Sequence, residues 1–190
     1  MRGFATPLID ALLARFDIAP KLISEVPDSH SSQVYLIEMD EEKFVLKVPY
    51  SQVKLNRERE FLERLSGLVP VPTILGFFPG EDNLPGALIL SYIPGRPATS
   101  EDFAISEQMG DTLARLHSVE MDRFTLVEEE TDWWPAMENV FQRWVEECKG
   151  HIESRVMAKV IALWRRHYDE LPAPDGPVVV HMDYRPGNLL

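Results

Sequence analysis

Apolar residues recur along this chain with two different periods. Between Phe4 and Phe16, the positions Leu8, Ile9, Leu12, Leu13 and Phe16 fall on one helical stripe. KLISEV (21–26), QVYLIEMD (33–40) and EKFVLKVPY (42–50) then read as strands, and MDEEK supplies the polar tip of a hairpin between the last two. SQVKLNREREFLERLSG (51–67) returns to the helical period, with Leu55, Phe61, Leu62 and Leu65 on its buried side and Gly67 at its end. VPVPTILGFFPG (69–80) and GALILSYIPG (86–95) predict two further strands across the turn-rich link EDNLPG. After Gly95 the helical period takes over. SEDFAISEQMGDTLARLHS (100–118) predicts a helix capped by Ser100, and DWWPAMENVFQRWVEECKG (132–150) one that starts after Pro135. ESRVMAKVIALWRRHYDEL (153–171) predicts a third, with Val156, Val160, Leu163 and Trp164 on one face. LPAPDGP breaks that helix and leads into VVV (178–180), which reads as a last strand. The pattern changes near residues 92 to 96. It predicts an α+β chain with a sheet lobe over 1–93 and a mainly helical lobe over 94–190.

Composition narrows the function. The 31 Asp and Glu against 19 Lys and Arg give a formal net charge of -12. A phosphate-backbone partner needs a basic surface, so nucleic acid is excluded. An acidic surface suits a cationic small substrate, and equally it keeps a soluble protein dispersed. Cys148 is the single cysteine, which rules out a disulfide framework within the chain and suits a reducing compartment. The start MRGFATPLID has no secretory h-region, and no apolar run reaches membrane-spanning length. These features predict a cytoplasmic protein with no membrane partner.

The candidate chemistry lies in VVVHMDYRPGNLL (178–190). His181, Asp183 and Asn188 stand as H-x-D-x-x-x-x-N, with Pro186 and Gly187 as a turn between the last two. Phosphoryl transfer needs a carboxylate to take the acceptor hydroxyl's proton and an oxygen ligand for magnesium a short loop away. A polar turn closing a strand fits the same spacing. FVLKV places Lys47 on a strand, and NRERE places Glu58 on the helix that follows. A lysine that holds nucleotide phosphates, itself held by a helical glutamate, is a recurring pair in kinases. Taken alone, each is also an ordinary solvated charge.

Taken together, these stretches resemble the aminoglycoside phosphotransferase family, small-molecule kinases that include choline kinase-like enzymes and share the protein-kinase-like fold. RERE-FLERLSGLVPVPTILGF is similar to that family's helix, P-V-P turn and following strand. LILSYIPGRP is similar to its interlobe hinge, LARLHS to its first C-lobe helix, and HMDYRPGNLL to its catalytic loop. The resemblance implies a two-lobe fold whose first lobe is a five-stranded antiparallel sheet with an inserted helix. It implies ATP, with GTP as the open alternative, and Mg2+. Lys47 would hold the α- and β-phosphates and Glu58 would hold Lys47. Asp183 would be the catalytic base, Asn188 a magnesium ligand, and His181 a brace for the loop. The carbonyl of Ser91 and the N–H of Ile93 would meet the adenine edge. The acceptor would be a hydroxyl on a small molecule, such as an aminoglycoside.

The chain departs from the family pattern at the loop between the first two strands. Glycine is usual there because backbone must approach phosphate closely. Here the loop reads DSHSSQ, so Ser31 and Ser32 would do this work through hydroxyl and N–H groups, while a plain polar hairpin tip is the other reading. The acidic run VEEETD (127–132) could receive a cationic acceptor or be a solvated loop. Trp133, Trp134, Trp144 and Trp164 are expected to be core rather than a cation-binding box. The resemblance ends with the catalytic loop, and the second metal-binding aspartate and further C-lobe helices of the family are not matched. The expectation is therefore a truncated kinase with little activity, with an incomplete C-lobe. The alternatives are a catalytically dead nucleotide-binding or regulatory remnant, and a helical interaction protein built from residues 100 to 170.

Overall fold

A computed structural model describes residues 7–27, 31–81, 83–96, 98–99, 105–122, 132–170, 172, 176–181 and 183–184. Helix α1 (Pro7–Arg15) precedes strands β1 (Leu22–Glu25), β2 (Ser32–Glu38) and β3 (Lys43–Pro49), then helix α2 (Gln52–Leu65). Strands β4 (Ile74–Phe78) and β5 (Ala87–Ser91) follow, then helices α3 (Ser106–His117), α4 (Trp133–Glu147) and α5 (Ser154–His167). The strands form one five-stranded antiparallel sheet in the order β1-β2-β3-β5-β4. This is the α+β arrangement the sequence pattern predicts. The chain divides into two compact units, Met1–Thr112 with Met182–Leu190, and Leu113–His181, so the division falls within α3.

The sheet is apolar on both faces, and a helix covers each. Along β3, Leu46 and Val48 point one way and join Tyr35, Ile37, Ala87 and Ile89 against Ile9, Leu12 and Leu13 of α1. Each of these three α1 side chains is nearly or fully buried, which stabilises its docking by about 2 kcal/mol apiece. On the other face, Leu88 and Leu90 meet Leu55 of α2, with Val45, Leu62, Ile74 and Phe77 packed around them. Helix α2 starts because Ser51 caps it: its Oγ accepts the Lys54 N–H at 3.3 Å. It stops where Ser66 N donates to Leu62 O at 3.1 Å and Gly67 takes φ +78, a conformation that favours glycine. The helix sits close to the sheet because residue 86 has no side chain. A Cβ on Gly86 would stand 2.2 Å from Leu55 Cδ2.

In the Leu113–His181 unit, α4 and α5 meet through aromatic rings. Trp164 stacks on Phe141 with centroids 4.5 Å apart, and its indole N–H donates to Glu138 Oε2 at 2.7 Å. Tyr168 lies edge-on to Trp134 and its hydroxyl donates to the Trp134 carbonyl at 2.7 Å. Trp133, Trp134 and Trp164 are half-buried in ring contacts rather than fully buried core, and Trp144 is 55% exposed. Helix α5 has no buried residue, and Val156, Val160 and Leu163 of its apolar face are exposed.

Four boundaries differ from the sequence reading. Helix α4 begins at Trp133, before Pro135 rather than after it. Pro135 occupies the first turn, where an N–H has no intrahelical partner and the fixed φ of proline suits the helix. Strand β4 begins at Ile74, because Pro70 and Pro72 lack the N–H groups a ladder requires. Helix α3 begins at Ser106, and Ser100 lies outside the described residues. VVV is not a ladder strand: Val178 makes an isolated bridge with Glu120, and Val179 N donates to Val119 O at 3.0 Å. Only Val179 of the three is buried, so one side chain anchors this segment.

Candidate functional site

Strand alternation decides where Lys47 goes. With Leu46 and Val48 committed to the α1 face, Lys47 emerges on the α2 face, between Val34 of β2 and Leu88 of β5. Three residues of α2 share the face that meets the sheet at helical spacing: Leu55, Glu58 and Leu62. The apolar pair anchors the helix, and Glu58 is thereby aimed at Lys47. Lys47 Nζ donates to Glu58 Oε1 at 2.5 Å. Both side chains are about three-quarters covered, with 26% and 24% exposure, so the attraction is screened less than between surface charges. An ammonium held this way presents its remaining donors in a fixed direction.

Ser31 and Ser32 open β2 on the same side. Ser32 is buried at 3% exposure, and Tyr50 N donates to Ser31 O at 3.3 Å. A pocket of about 280 Å3 lies between these serines and α2. Phe61 and Leu62 line its apolar part, Glu58 sits in its wall, and Lys54 and Arg57 line its helical edge. The pocket therefore joins Ser31, Ser32 and Glu58, which the sequence singled out, to two cations it did not. Their signal was present in the chain, since Lys54 and Arg57 stand four and one residues before Glu58, but a helix charge reads first as solvated. A larger hollow of about 680 Å3 lies by α1, lined by Arg15, Glu81 and Leu84. It contains none of the candidate residues.

Ser91 ends β5 and is fixed to the segment before β4. Its N–H donates to Thr73 O at 2.9 Å, and its Oγ accepts the Thr73 N–H at 2.9 Å. Ile93 follows, half-buried, after an exposed Tyr92 whose ring carries Lys43 Nζ at 5.9 Å from its centroid. Asp183 and His181 are both exposed. The chain just after Asp183 is tied to α3, because the Tyr184 hydroxyl donates to the Met109 carbonyl at 2.8 Å. Asn188, Ser29, His30 and residues 127–131 lie outside the described residues. The structure thus brings Lys47, Glu58, Ser31 and Ser32 to one side of the sheet.

Among the described residues, no three His, Cys, Asp or Glu side chains group to hold a metal ion. Magnesium does not require such a group. It keeps several waters and binds through one or two carboxylates together with substrate phosphates. Asn188, the oxygen donor that the sequence offers for it, is outside the described residues. Ser31, Ser32, Lys54 and Arg57 give the pocket its polar part, beside a larger apolar one.

Comparison with known proteins bears on the fold and the family. No curated protein matches the chain. Several solved structures share its fold. Aminoglycoside phosphotransferase APH(4)-Ia, solved as a thermostable mutant with AMP-PNP and hygromycin B, is 14% identical with a TM-score of 0.66. That match covers 87% of this chain and 60% of that one. APH(2")-IIa, in a ternary complex with streptomycin and ATP, is 16% identical with a TM-score of 0.57, over 89% of this chain and 60% of that one. Macrolide 2'-phosphotransferase type I is 18% identical with a TM-score of 0.59, over 94% and 65%. The chain therefore spans roughly three-fifths of the length of these proteins. Residues 23–190 match the model of the phosphotransferase enzyme family, and this chain belongs to that family.

Proposed function

We propose that this chain carries the nucleotide-binding and base-bearing part of an ATP-dependent phosphotransferase that acts on a hydroxylated small molecule. The observation that carries the reading is the 2.5 Å pair between Lys47 and Glu58, on a central strand and the next helix, in a chain of this family. In this reading residues 1–93 are the nucleotide lobe and 94–190 belong to the second lobe. Lys47 holds the α- and β-phosphates, with Glu58 fixing its direction. Ser31 and Ser32 bind phosphate, and the Ser91 carbonyl and Ile93 N–H meet the adenine edge. Asp183 accepts the proton of the acceptor hydroxyl as its oxygen attacks the γ-phosphorus. The bond from that phosphorus to the bridging oxygen breaks, and ADP leaves. His181 braces the loop, and Asn188 is the magnesium ligand. Magnesium, when bound, neutralises charge on the transferring phosphoryl group. The acceptor class follows the neighbours, whose complexes hold streptomycin and hygromycin B, and the net charge of -12 suits a cationic acceptor. The reading places the chain in the cytoplasm. Its lone cysteine suits that compartment, and no described helix is long and apolar enough to cross a membrane.

Binding of a fluorescent ATP analogue and ATP consumption over a panel of hydroxylated amines, aminoglycosides and macrolides test the proposal. The chain should bind ATP, and Lys47→Ala should weaken binding roughly tenfold or more, the worth of one hydrogen bond to a charged group. Where turnover is measured, Asp183→Asn should lower it about a hundredfold or more while ATP affinity stays within about a factor of two, because general-base catalysis is worth that much. ATP binding that is absent, or indifferent to Lys47→Ala, overturns the reading.

A further inference from the structure

Among the described residues, no ladder strand supports the backbone that leads to Asp183. Val178 makes an isolated bridge, and Val180, His181 and Asp183 are exposed. A general base works only within hydrogen-bond reach of the proton it takes. A displacement of about 1 Å at a reacting group can cost a hundredfold in rate. If Asp183 is the base, something in the chain must fix where it stands.

Two anchors flank it along the sequence. Four residues before it, the buried Val179 donates its N–H to Val119 O at 3.0 Å. One residue after it, the Tyr184 hydroxyl donates to the Met109 carbonyl of α3 at 2.8 Å. The two anchors belong to different compact units. Val179 and Val119 lie in Leu113–His181, whereas Asp183, Tyr184 and Met109 lie in the unit that also carries Lys47 and Glu58. Tyr184 is thus the neighbour that ties Asp183 into the unit of the lysine. The chemistry of the tie is selective. A carbonyl oxygen has two lone pairs, so one within a helix can serve the ladder and still accept from a side chain. The Tyr184 ring is half-buried, and its position turns on only two side-chain torsions. Leucine or phenylalanine could occupy the same space, but neither could donate.

We propose that Tyr184 is the positioning residue of Asp183, and that its bond to Met109 holds the carboxylate where an acceptor hydroxyl can meet it. The assignment rests on the reading of Asp183 as the base. The phenol takes no proton in the reaction and acts only through its neighbour.

The test is Tyr184→Phe, which removes one oxygen and keeps the ring, with circular dichroism to check that the variant folds. Hydrogen–deuterium exchange over residues 178–184 should quicken roughly fivefold, the worth of one neutral hydrogen bond, while exchange over β3 stays unchanged. With ATP and the acceptor panel, kcat should fall roughly tenfold while KM for ATP stays within about a factor of two, as partial misplacement of a base requires. In an Asp183→Asn background, Tyr184→Phe should lower turnover no further, because no base is left to position. Unchanged exchange over 178–184 overturns the tie. An unchanged kcat, or an equal loss in the Asp183→Asn background, overturns the positioning role. If Asp183→Asn lowers turnover and Tyr184→Phe does not, the assignment alone fails. If Asp183→Asn costs nothing, or the wild type turns over no acceptor, the base reading fails and the positioning role falls with it, leaving exchange to decide the tie.

Discussion

Glu58 makes its contribution through another residue. Its carboxylate accepts from Lys47 at 2.5 Å and restricts where the ammonium can point. Glu58→Gln keeps the shape and removes the charge. ATP affinity should fall, by a smaller factor than for Lys47→Ala, because the ammonium is retained but less well aimed. Stability to urea should fall by about 1 kcal/mol, between the worth of a surface pair and that of a buried one. An affinity loss as large as that of Lys47→Ala would show that Glu58 touches the nucleotide itself. At this scale the chain was legible where a chemical type and an element type coincided. A lysine on an apolar strand and a glutamate on the next helix can meet only if both face inward, and the strand alternation of FVLKV indicates the face. Lys54 and Arg57 were not legible, because their meaning depends on which flank of α2 looks toward β2, and that is settled by packing.

At the scale of elements, the position of α2 governs the pair. Gly86 lets Leu55 settle against the sheet, and an added Cβ there would meet Leu55 Cδ2 at 2.2 Å, Pro79 O at 2.9 Å and Phe78 O at 3.1 Å. A leucine side chain can turn, but carbonyl oxygens of the backbone cannot move without shifting the strand. Gly86→Ala should therefore cost stability of about 1–3 kcal/mol, as overpacking does. It should also weaken ATP binding, although residue 86 is on neither the pair nor the pocket. Thermal unfolding and nucleotide titration of the variant measure the two effects, and unchanged ATP affinity would show that α2 absorbs the strain without moving Glu58. The order of strands and helices was readable from period alone. The ends of elements were less so, since Pro135 is tolerated inside a first turn while Pro70 and Pro72 delay a strand. VVV carries a strand's composition, yet no partner beyond Glu120 bridges to it among the described residues.

At the scale of the whole molecule, the two compact units have different sensitivities. In the Leu113–His181 unit, the Trp164 indole N–H, then the Gln142 side-chain amide, hold the Glu138 carboxyl below its usual value of 4.5, with Arg165 adding to this against the opposing effect of burial. A carboxylate depressed in the folded state stabilises above its unfolded value, and that stability is lost as pH falls through the folded one. The helical unit should therefore weaken below about pH 4.5, and Glu138→Gln should flatten that part of the acid profile. Urea unfolding at pH 3 to 7 measures it, and an unchanged acid slope in the variant would remove Glu138 from the account. All four tryptophans, Trp133, Trp134, Trp144 and Trp164, fall in this unit, and the sheet that carries Lys47 has none. The protein is thus labelled by its own sequence in one unit only. Tryptophan emission during unfolding will follow the helical unit and be blind to the sheet, so a gap between emission and far-ultraviolet dichroism would reveal that the two melt separately. The same blindness turns into an instrument when nucleotide is added. A ligand at Lys47 has no indole beside it in its own unit, so any change in emission would report on the helical unit.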